Sequence, residues 1–225
     1  MCKTVSEDLI IVGAGGASRE IACVVEEINA GGQRWRLLGF LDDDAGKRGQ
    51  PVLGYPVLGP VAAAAEYPDA RLIVGVASYK NRGARRRIVE RLSVAADRFA
   101  TIVAPTASVS RYTSIGRGCA VLHHAVVAHG VAVGDHSLIS SACVIGHDAQ
   151  LSSYVTLAQT ATVSGSSCLE EEVYVGAGAT IRDGVRVGAG ALVGLAAAVF
   201  RDVPRGATVI GNPAKSLRTG RHAKE

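Results

Sequence analysis

One position in the second half of the chain recurs every six residues and is always Val, Ile or Leu. It runs Val103, Val109, Ile115, Val121, Val127, Val133, Ile139, Ile145, Leu151, Leu157, Val163, Leu169, Val175, Ile181, Val187, Val193 and Val199 without a break. With aliphatic residues at about a quarter of positions, so long a run has a chance probability far below ~10⁻⁶. A repeat of this kind is read before any single element. Six is neither the 3.6 of a helix nor the two of an alternating strand. It is the period of a hexapeptide β-helix, in which each segment makes one short flat strand and a corner, and three segments close a triangular coil. The aliphatic residue fills the prism. Four places later a small or β-branched residue recurs, among them Ala107, Thr113, Cys119, Ala125, Ser137, Cys143, Ala149, Ala161, Ala179 and Ala191, where a larger side chain would collide. Gly116, Gly134, Gly146, Gly176, Gly188 and Gly194 directly follow an aliphatic position and are expected to suit a tight backbone there.

Ahead of the repeat, residues 1–100 read as a small Rossmann-like α/β domain, and residues 101–225 as the β-helix with a C-terminal tail. Leu9 to Val12 is a short apolar strand that runs into Gly13-Ala14-Gly15-Gly16-Ala17-Ser18-Arg19-Glu20, and Ile21 to Ile28 has apolar residues at helical spacing. A strand, a glycine turn and a helix N-terminus can hold phosphate on backbone N–H groups. The third glycine of a dinucleotide fingerprint falls on Ser18, so a purely structural turn fits the residues as well. Trp35 to Leu41 reads as a second strand ending in Asp42-Asp43-Asp44, acids that read a ribose or base in such folds or simply begin a turn. A turn at 53–59, an Ala-rich helix from Val61 to Glu66, a strand from Leu72 to Val76 and a cationic helix from Arg82 to Leu92 follow. That is too little for a complete dinucleotide fold, but enough to seat a mononucleotide. Phe99 to Pro105 leads into the repeat with no flexible linker, which implies rigid packing. The rhythm fails at Pro204, Gly211 to Lys215 makes a turn, and Arg218 to Glu225 is expected to be loosely held.

A hydrophobic fraction of 48%, a charged fraction of 20% and a net charge of +4 describe an ordinary soluble protein and give no reason to expect a nucleic-acid partner. No apolar run approaches the ~20 residues needed to span a bilayer, and no signal peptide opens the chain, so membrane insertion is not expected and the location reads as cytoplasmic. The basic residues of 82–91 and those after Lys215 are either solvated surface or contacts for an anion. Cys119 and Cys143 fall on the small inward position, Cys23 lies in a helix, and no metal-type pair appears, which reads as reduced packing cysteines.

The chemistry concentrates in histidine. His123, His124, His129, His136 and His147 lie in the repeat, and His222 in the tail. Residues one coil apart sit one above another, so His129, His147 and Gly165 form a column on one outer edge. His147 alone is followed by an acid, Asp148, which can orient the imidazole and support its protonated form as a base for an amine or hydroxyl. Gly165 would put a bare backbone N–H beside that base, where it could polarise a thioester carbonyl. A competing reading takes His124 and His129 as an H-x₄-H zinc pair, as in trimeric β-helix carbonic anhydrases; the third His expected around Ile88 to Ser93 is absent.

The GAGGASRE turn, the FLDDD strand end, the CVIGHD segment and the GNPAK close stand in one order, and with them the chain resembles the NeuD/PglD-type sugar acetyltransferases over about residues 8 to 217. The resemblance implies an N-terminal α/β domain for a nucleotide-linked sugar and a left-handed parallel β-helix that trimerises and binds acetyl-CoA between neighbouring subunits. It puts the catalytic base on His147, its neighbouring acid on Asp148 and the thioester-polarising glycine on Gly165. Gly13, Ala14, Gly15, Gly16 and Arg19 occupy phosphate-loop positions, and Asp42 and Asp43 the uracil or ribose position. Lys215 would lie near the CoA phosphates. A second His that close relatives carry nine residues after the base, in contact with the acetyl donor, is Thr156 here. Ala17 stands where relatives often have His, Ser18 where they have Gly, and Ala77 to Arg82 departs from G-D-N-x-x-R. The resulting expectation is a metal-free, acetyl-CoA-dependent transferase, a homotrimer acting on the amine of a UDP- or dTDP-linked 4-amino-deoxysugar. A sialic-acid-type O-acetyltransferase, a zinc hydratase and an idle trimeric scaffold remain as rivals.

Overall fold

Leu9, Ile10, Ile11 and Val12 are each fully buried, which a strand allows only when both faces of its sheet are covered. The computed structural model describes residues 6–32 and 34–217. In it, β1 (Glu7–Val12) is followed by α1 (Gly16–Ala30), β2 (Trp35–Leu41), β3 (Val57–Gly59), β4 (Arg71–Val74) and α2 (Ala84–Leu92). The four strands pair in parallel in the order β3-β2-β1-β4. Leu9, Ile11, Phe40 and Ile73 face α1, whose Ile21, Val24 and Val25 cover them. Ile10, Val12, Leu72 and Val74 face the opposite layer, formed by Val61 to Ala64 and by Ile88, Val89 and Leu92 of α2. The segment Val61–Glu66 winds as a 3₁₀ helix and not as the α-helix expected of its alanines. With only six residues, it would leave nearly every α-type bond unmade, and the tighter i→i+3 pattern satisfies more of its backbone.

From Ile102 onward the six-residue rhythm becomes coils. Each two-residue strand pairs in parallel with the strand eighteen residues on, as Leu138 with Thr156, Val144 with Thr162 and Gln150 with Cys168. The result is a left-handed parallel β-helix with faces of eight, six and five strands. The recurring Val, Ile and Leu and the small residues between them form one continuous core. Each fully buried aliphatic side chain there contributes about 1.5–3 kcal/mol, and among the described residues no aromatic side chain belongs to that core. Burial pushes the Cys119 thiol up to about 12 and that of Cys143 up to about 11, so both stay protonated packing groups.

The glycines after the aliphatic positions have a different reason from the one expected. Their backbone is ordinary; at Gly146 an added Cβ would sit 2.6 Å from the backbone nitrogen of Gly165, so the next coil leaves no room for a side chain. The left-handed residues stand two places further on, in the corners, where Asp148 has φ 59°, His136 φ 56° and Tyr154 φ 64°. After Pro204 the register shortens, and Leu192 pairs with Thr208.

The eight-stranded face does not meet solvent at its N-terminal end. Ile102, Ala104, Ala120, Leu122 and Leu138 share a core with Leu9, Ile11 and α1, so the two units form one packed body. The connection is bonded throughout, with Ala100 donating to Leu72 (2.9 Å) and Ile102 to Cys119 (2.8 Å).

Candidate active site

His147 and Asp148 make the corner between strand 144–145 of the six-stranded face and strand 150–151 of the five-stranded face. The left-handed conformation of Asp148 turns its carboxylate back on its neighbour: Oδ2 lies 3.0 Å from His147 Nδ1. With Nδ1 so engaged, Nε2 is the nitrogen left for a substrate proton. Both side chains are more than half exposed, at 57% and 58%. Room for Asp148 comes from the coil before, since a Cβ on Gly130 would fall 2.2 Å from Asp148 Oδ1.

The eighteen-residue column is present. The rings of His129 and His147 stack with centroids 5.7 Å apart and planes 13° from parallel. On the other side a Cβ at Gly165 would lie 2.7 Å from both Cε1 and Nε2 of His147, so the imidazole is held between a second ring and a bare glycine. The expected use of the Gly165 N–H is a different matter. It already donates to Asp183 Oδ1 at 2.9 Å, because the next corner in the column returns a carboxylate to it. What Gly165 offers in this arrangement is space beside Nε2, not a free donor.

The same arithmetic, carried further than the histidines, extends the column through Asp183 to Arg201. Arg201 lines a cleft of about 280 Å³ with Phe200, Pro213, Ala214 and Lys215. Arg201 is thus three rungs or about 14 Å from His147 along that edge at ~4.8 Å per rung, and Lys215, whose strand closes the end of the eight-stranded face, reaches the same cleft from the other side. Arg201 was legible from the eighteen-residue spacing and was missed.

The glycine turn joins β1 to α1 in a tight, open bend. Gly13, at φ +96°, has Val76 2.8 Å from where its Cβ would be, so the turn closes on the end of β4. Gly15 caps α1 without a side-chain bond, and neither Gly15 nor Gly16 has any atom within 4 Å of an added Cβ. The first turn of α1 is therefore open on the side of Gly15 and Gly16, and Arg19 stands exposed beside it. Ser18 takes the place of the third glycine without loosening the helix against the sheet: its Oγ donates to Gly75 O (3.0 Å), and it is Gly75 that gives up the side chain, with Ser18 Oγ 2.4 Å from its added Cβ.

Asp42 and Asp43 are engaged with the protein. Asp42 Oδ2 accepts from the Ala14 N–H and from Lys47 Nζ, both at 2.8 Å. Burial opposes its ionisation, but Lys47 and the N–H groups of Asp44 and Ala14 hold the carboxyl below the usual range. Asp43 is lowered by the Val61 N–H at 2.9 Å and by Arg91. These acids shape the turn.

Thr156 does not join His147. It is buried on the eight-stranded face, and its Oγ1 accepts from Arg85 at 2.8 Å. His124 and His129 stand at different corners of the prism, and among the described residues no three His, Cys, Asp or Glu side chains gather as a metal ion requires. His136 is packed between Phe99 and Tyr154, and burial pushes it towards its neutral form. His222 and the rest of 218–225 lie outside the described residues.

Residues 8–92 match the family model described as the PglD N-terminal domain. Over the longer span, the chain is similar to the acetyltransferase domain of PglB from Neisseria gonorrhoeae, at 32% identity and TM-score 0.81, across 94% of this chain and 100% of that one. The chain belongs to the NeuD/PglD-type sugar acetyltransferase family. The same gonococcal domain in complex with acetyl coenzyme A matches this acetyltransferase equally well, over 95% of its length and 100% of the other. A mutant of perosamine N-acetyltransferase from Caulobacter crescentus, in complex with CoA and GDP-perosamine, is 26% identical at TM-score 0.81, covering 95% of this chain and 98% of that one. A search of curated proteins finds no match. Among the described residues no helix is long and apolar enough to cross a membrane.

Proposed function

We propose that this acetyltransferase moves the acetyl group of acetyl-CoA to the amino group of a nucleotide-linked amino sugar, a 4-amino-deoxysugar on UDP, dTDP or GDP. The observation that carries the reading is the His147 edge: an exposed imidazole, fixed through Nδ1 by Asp148, with Nε2 over a glycine and two cations, Arg201 and Lys215, at the cleft where that edge ends. Arg201 and Lys215 suit the phosphates of CoA, which leaves the thioester to lie along the edge towards Gly165. His147 Nε2 takes the proton of the acceptor amine as its nitrogen attacks the thioester carbonyl. The new C–N bond forms, the C–S bond breaks, and the thiolate regains a proton from the imidazolium. Asp148 steadies that imidazolium.

The acceptor comes from a second copy of the chain. The α/β unit covers the eight-stranded face, whereas His147 sits on the corner opposite, between the other two faces. A nucleotide held at Gly13 to Gly16 and Arg19 is therefore on the wrong side of its own prism. A homotrimer packed through the β-helices brings one chain's turn to another's His147. The outward residues of the six-stranded face support such packing: Ser108, Val126, Val144, Thr162, Thr180 and Ala198 carry no charge, and Val126 and Val144 are each 41% exposed.

The test is free-thiol release from acetyl-CoA against UDP-, dTDP- and GDP-linked amino sugars, with wild type and His147→Ala. Turnover with at least one of them, reduced by about 10²–10⁴ in the variant, is expected. No acetylation of any, or an undiminished rate in the variant, would sink the reading.

A further inference from the structure

Arg85 is buried to 3% exposure at the seam between the two units, and among the described residues it pairs with no carboxylate. Its guanidinium donates instead to neutral oxygens: Nη1 to Val76 O (3.1 Å), and Nη2 to Tyr154 O (2.9 Å), Val155 O (3.1 Å) and Thr156 Oγ1 (2.8 Å), while Nε finds no partner among the described residues. A buried cation without a counter-ion is a costly way to join two surfaces, and an apolar side chain of the same length would hold them more cheaply. Nor is adhesion lacking. The seam already carries the shared apolar core of α1, β1 and the first coils.

The guanidinium adds direction to that core. Successive rungs of the eight-stranded face present Ile102, Ala120 and Leu138 outward at one spacing. The bonded connection at Ala100 and Ile102 fixes where the two units first meet, but apolar contact further along the face is non-directional and leaves the tilt of the α/β unit to other groups. Thr156 is the first polar side chain of that series, and the carbonyls of Tyr154 and Val155 belong to the same rung. Arg85 engages all three together with Val76, and Val76 is the residue whose Cγ2 closes on Gly13 at the base of the glycine turn. One buried side chain thus joins the floor of the turn to a single rung of the prism. Arg82, bonded to Gly190 O, and Arg86, paired with Glu171 and Glu172, brace the same helix from its partly exposed side.

We propose that Arg85 is a positioning residue for acetyl transfer: by locking the glycine turn to the rung of Thr156, it sets where a nucleotide-linked acceptor is presented to the His147 of the neighbouring copy. This rests on the acetyl-transfer reading above. A directional buried polar contact that fixes register, at some cost in stability, is the best-attested use of such groups.

The experiment compares wild type with Arg85→Met and Arg85→Lys as assembled full-length proteins. Three quantities are read: kcat with the nucleotide-linked amino sugar, kcat/KM with the same sugar lacking its nucleotide, and CoA affinity by calorimetry. A free sugar does not depend on the turn. Misplacement by ~1 Å lowers turnover by about 10²-fold, so Arg85→Met is expected to lose between ten- and a hundredfold on the nucleotide-linked acceptor only. The other two quantities should stay within about twofold, with Arg85→Lys intermediate. Equal losses on both acceptors, no loss on either, or failure of both variants to fold would make Arg85 merely structural and overturn the proposal. A wild type inactive on every nucleotide-linked sugar would instead contradict the acetyl-transfer reading itself, and the proposal with it.

Discussion

Replacing Gly165 by alanine separates the two roles that the residue could have. Alanine keeps the backbone N–H and adds only a methyl group, whose carbon would stand 2.7 Å from Cε1 and Nε2 of His147. Carbon contacts are comfortable at about 3.5–4.0 Å, so the imidazole has to retreat by roughly 1 Å. Retreat is resisted by the stacked ring of His129, and sliding sideways stretches the 3.0 Å contact with Asp148. A displacement of that size at a proton-transferring nitrogen costs on the order of 10²-fold. The backbone at Gly165 is not left-handed, so the fold accepts alanine, and lower unfolded-state entropy favours it by about 0.4–1 kcal/mol. Steady-state thiol release should therefore show kcat down between ten- and a hundredfold, with the melting temperature undiminished. Adding His129→Ala, which opens the far side of the ring, should recover part of the loss. Wild-type turnover in Gly165→Ala would refute the steric argument and return the glycine's contribution to its N–H.

Other consequences can be checked directly. Asp148→Asn should lower kcat by roughly tenfold, less than loss of the base itself, because an exposed pair is worth little as a charge interaction and acts mainly by orienting the ring; a loss equal to that of His147→Ala would make the two inseparable. Arg201→Ala with Lys215→Ala should raise KM for acetyl-CoA by about tenfold at unchanged kcat, and the wild-type KM should rise with salt. Asp42 and Asp43 have folded pKa values below the ordinary carboxylate range, so they stabilise the turn above an unfolded value of about 4, and that stability is lost as pH falls through the lowered values. The fluorescence of Trp35, the single tryptophan, should accordingly report loosening of the α/β unit below about pH 4, and Asp42→Asn should flatten that acid dependence.

Most of the prism could be read from the chain because its rule is local. An inward aliphatic side chain every sixth residue points to a triangular coil, and the same arithmetic stacks His129, His147 and Gly165. What escaped depends on groups that meet from unrelated stretches. No spacing links Arg85 to Thr156, seventy-one residues apart, and the helix face it came from looked like solvated charge. The occupied N–H of Gly165 is partly legible, since Asp183 follows at the same interval, but the sequence does not say which corner carboxylates turn back onto the coil before. Asp42 and Asp43 were rightly put at the end of β2, yet a sequence does not say that the protein's own N–H groups and cations reach them first. The alanines of 61–66 favoured an α-helix by propensity, and shortness decided otherwise.

The central claim is that the nucleotide-holding turn and the base of one catalytic site belong to different copies of the chain. Gly15→Asp should disable the first without disturbing the fold, since Gly15 faces open space and Asp is a favourable helix cap that repels phosphate; His147→Ala disables the second. Each alone should be nearly inactive. Co-expressed in equal amounts, random assortment into trimers pairs an intact turn with an intact neighbouring base at about a quarter of the sites. Recovery to about that fraction of wild-type turnover is predicted, and a mixture no more active than its two parents would contradict the account.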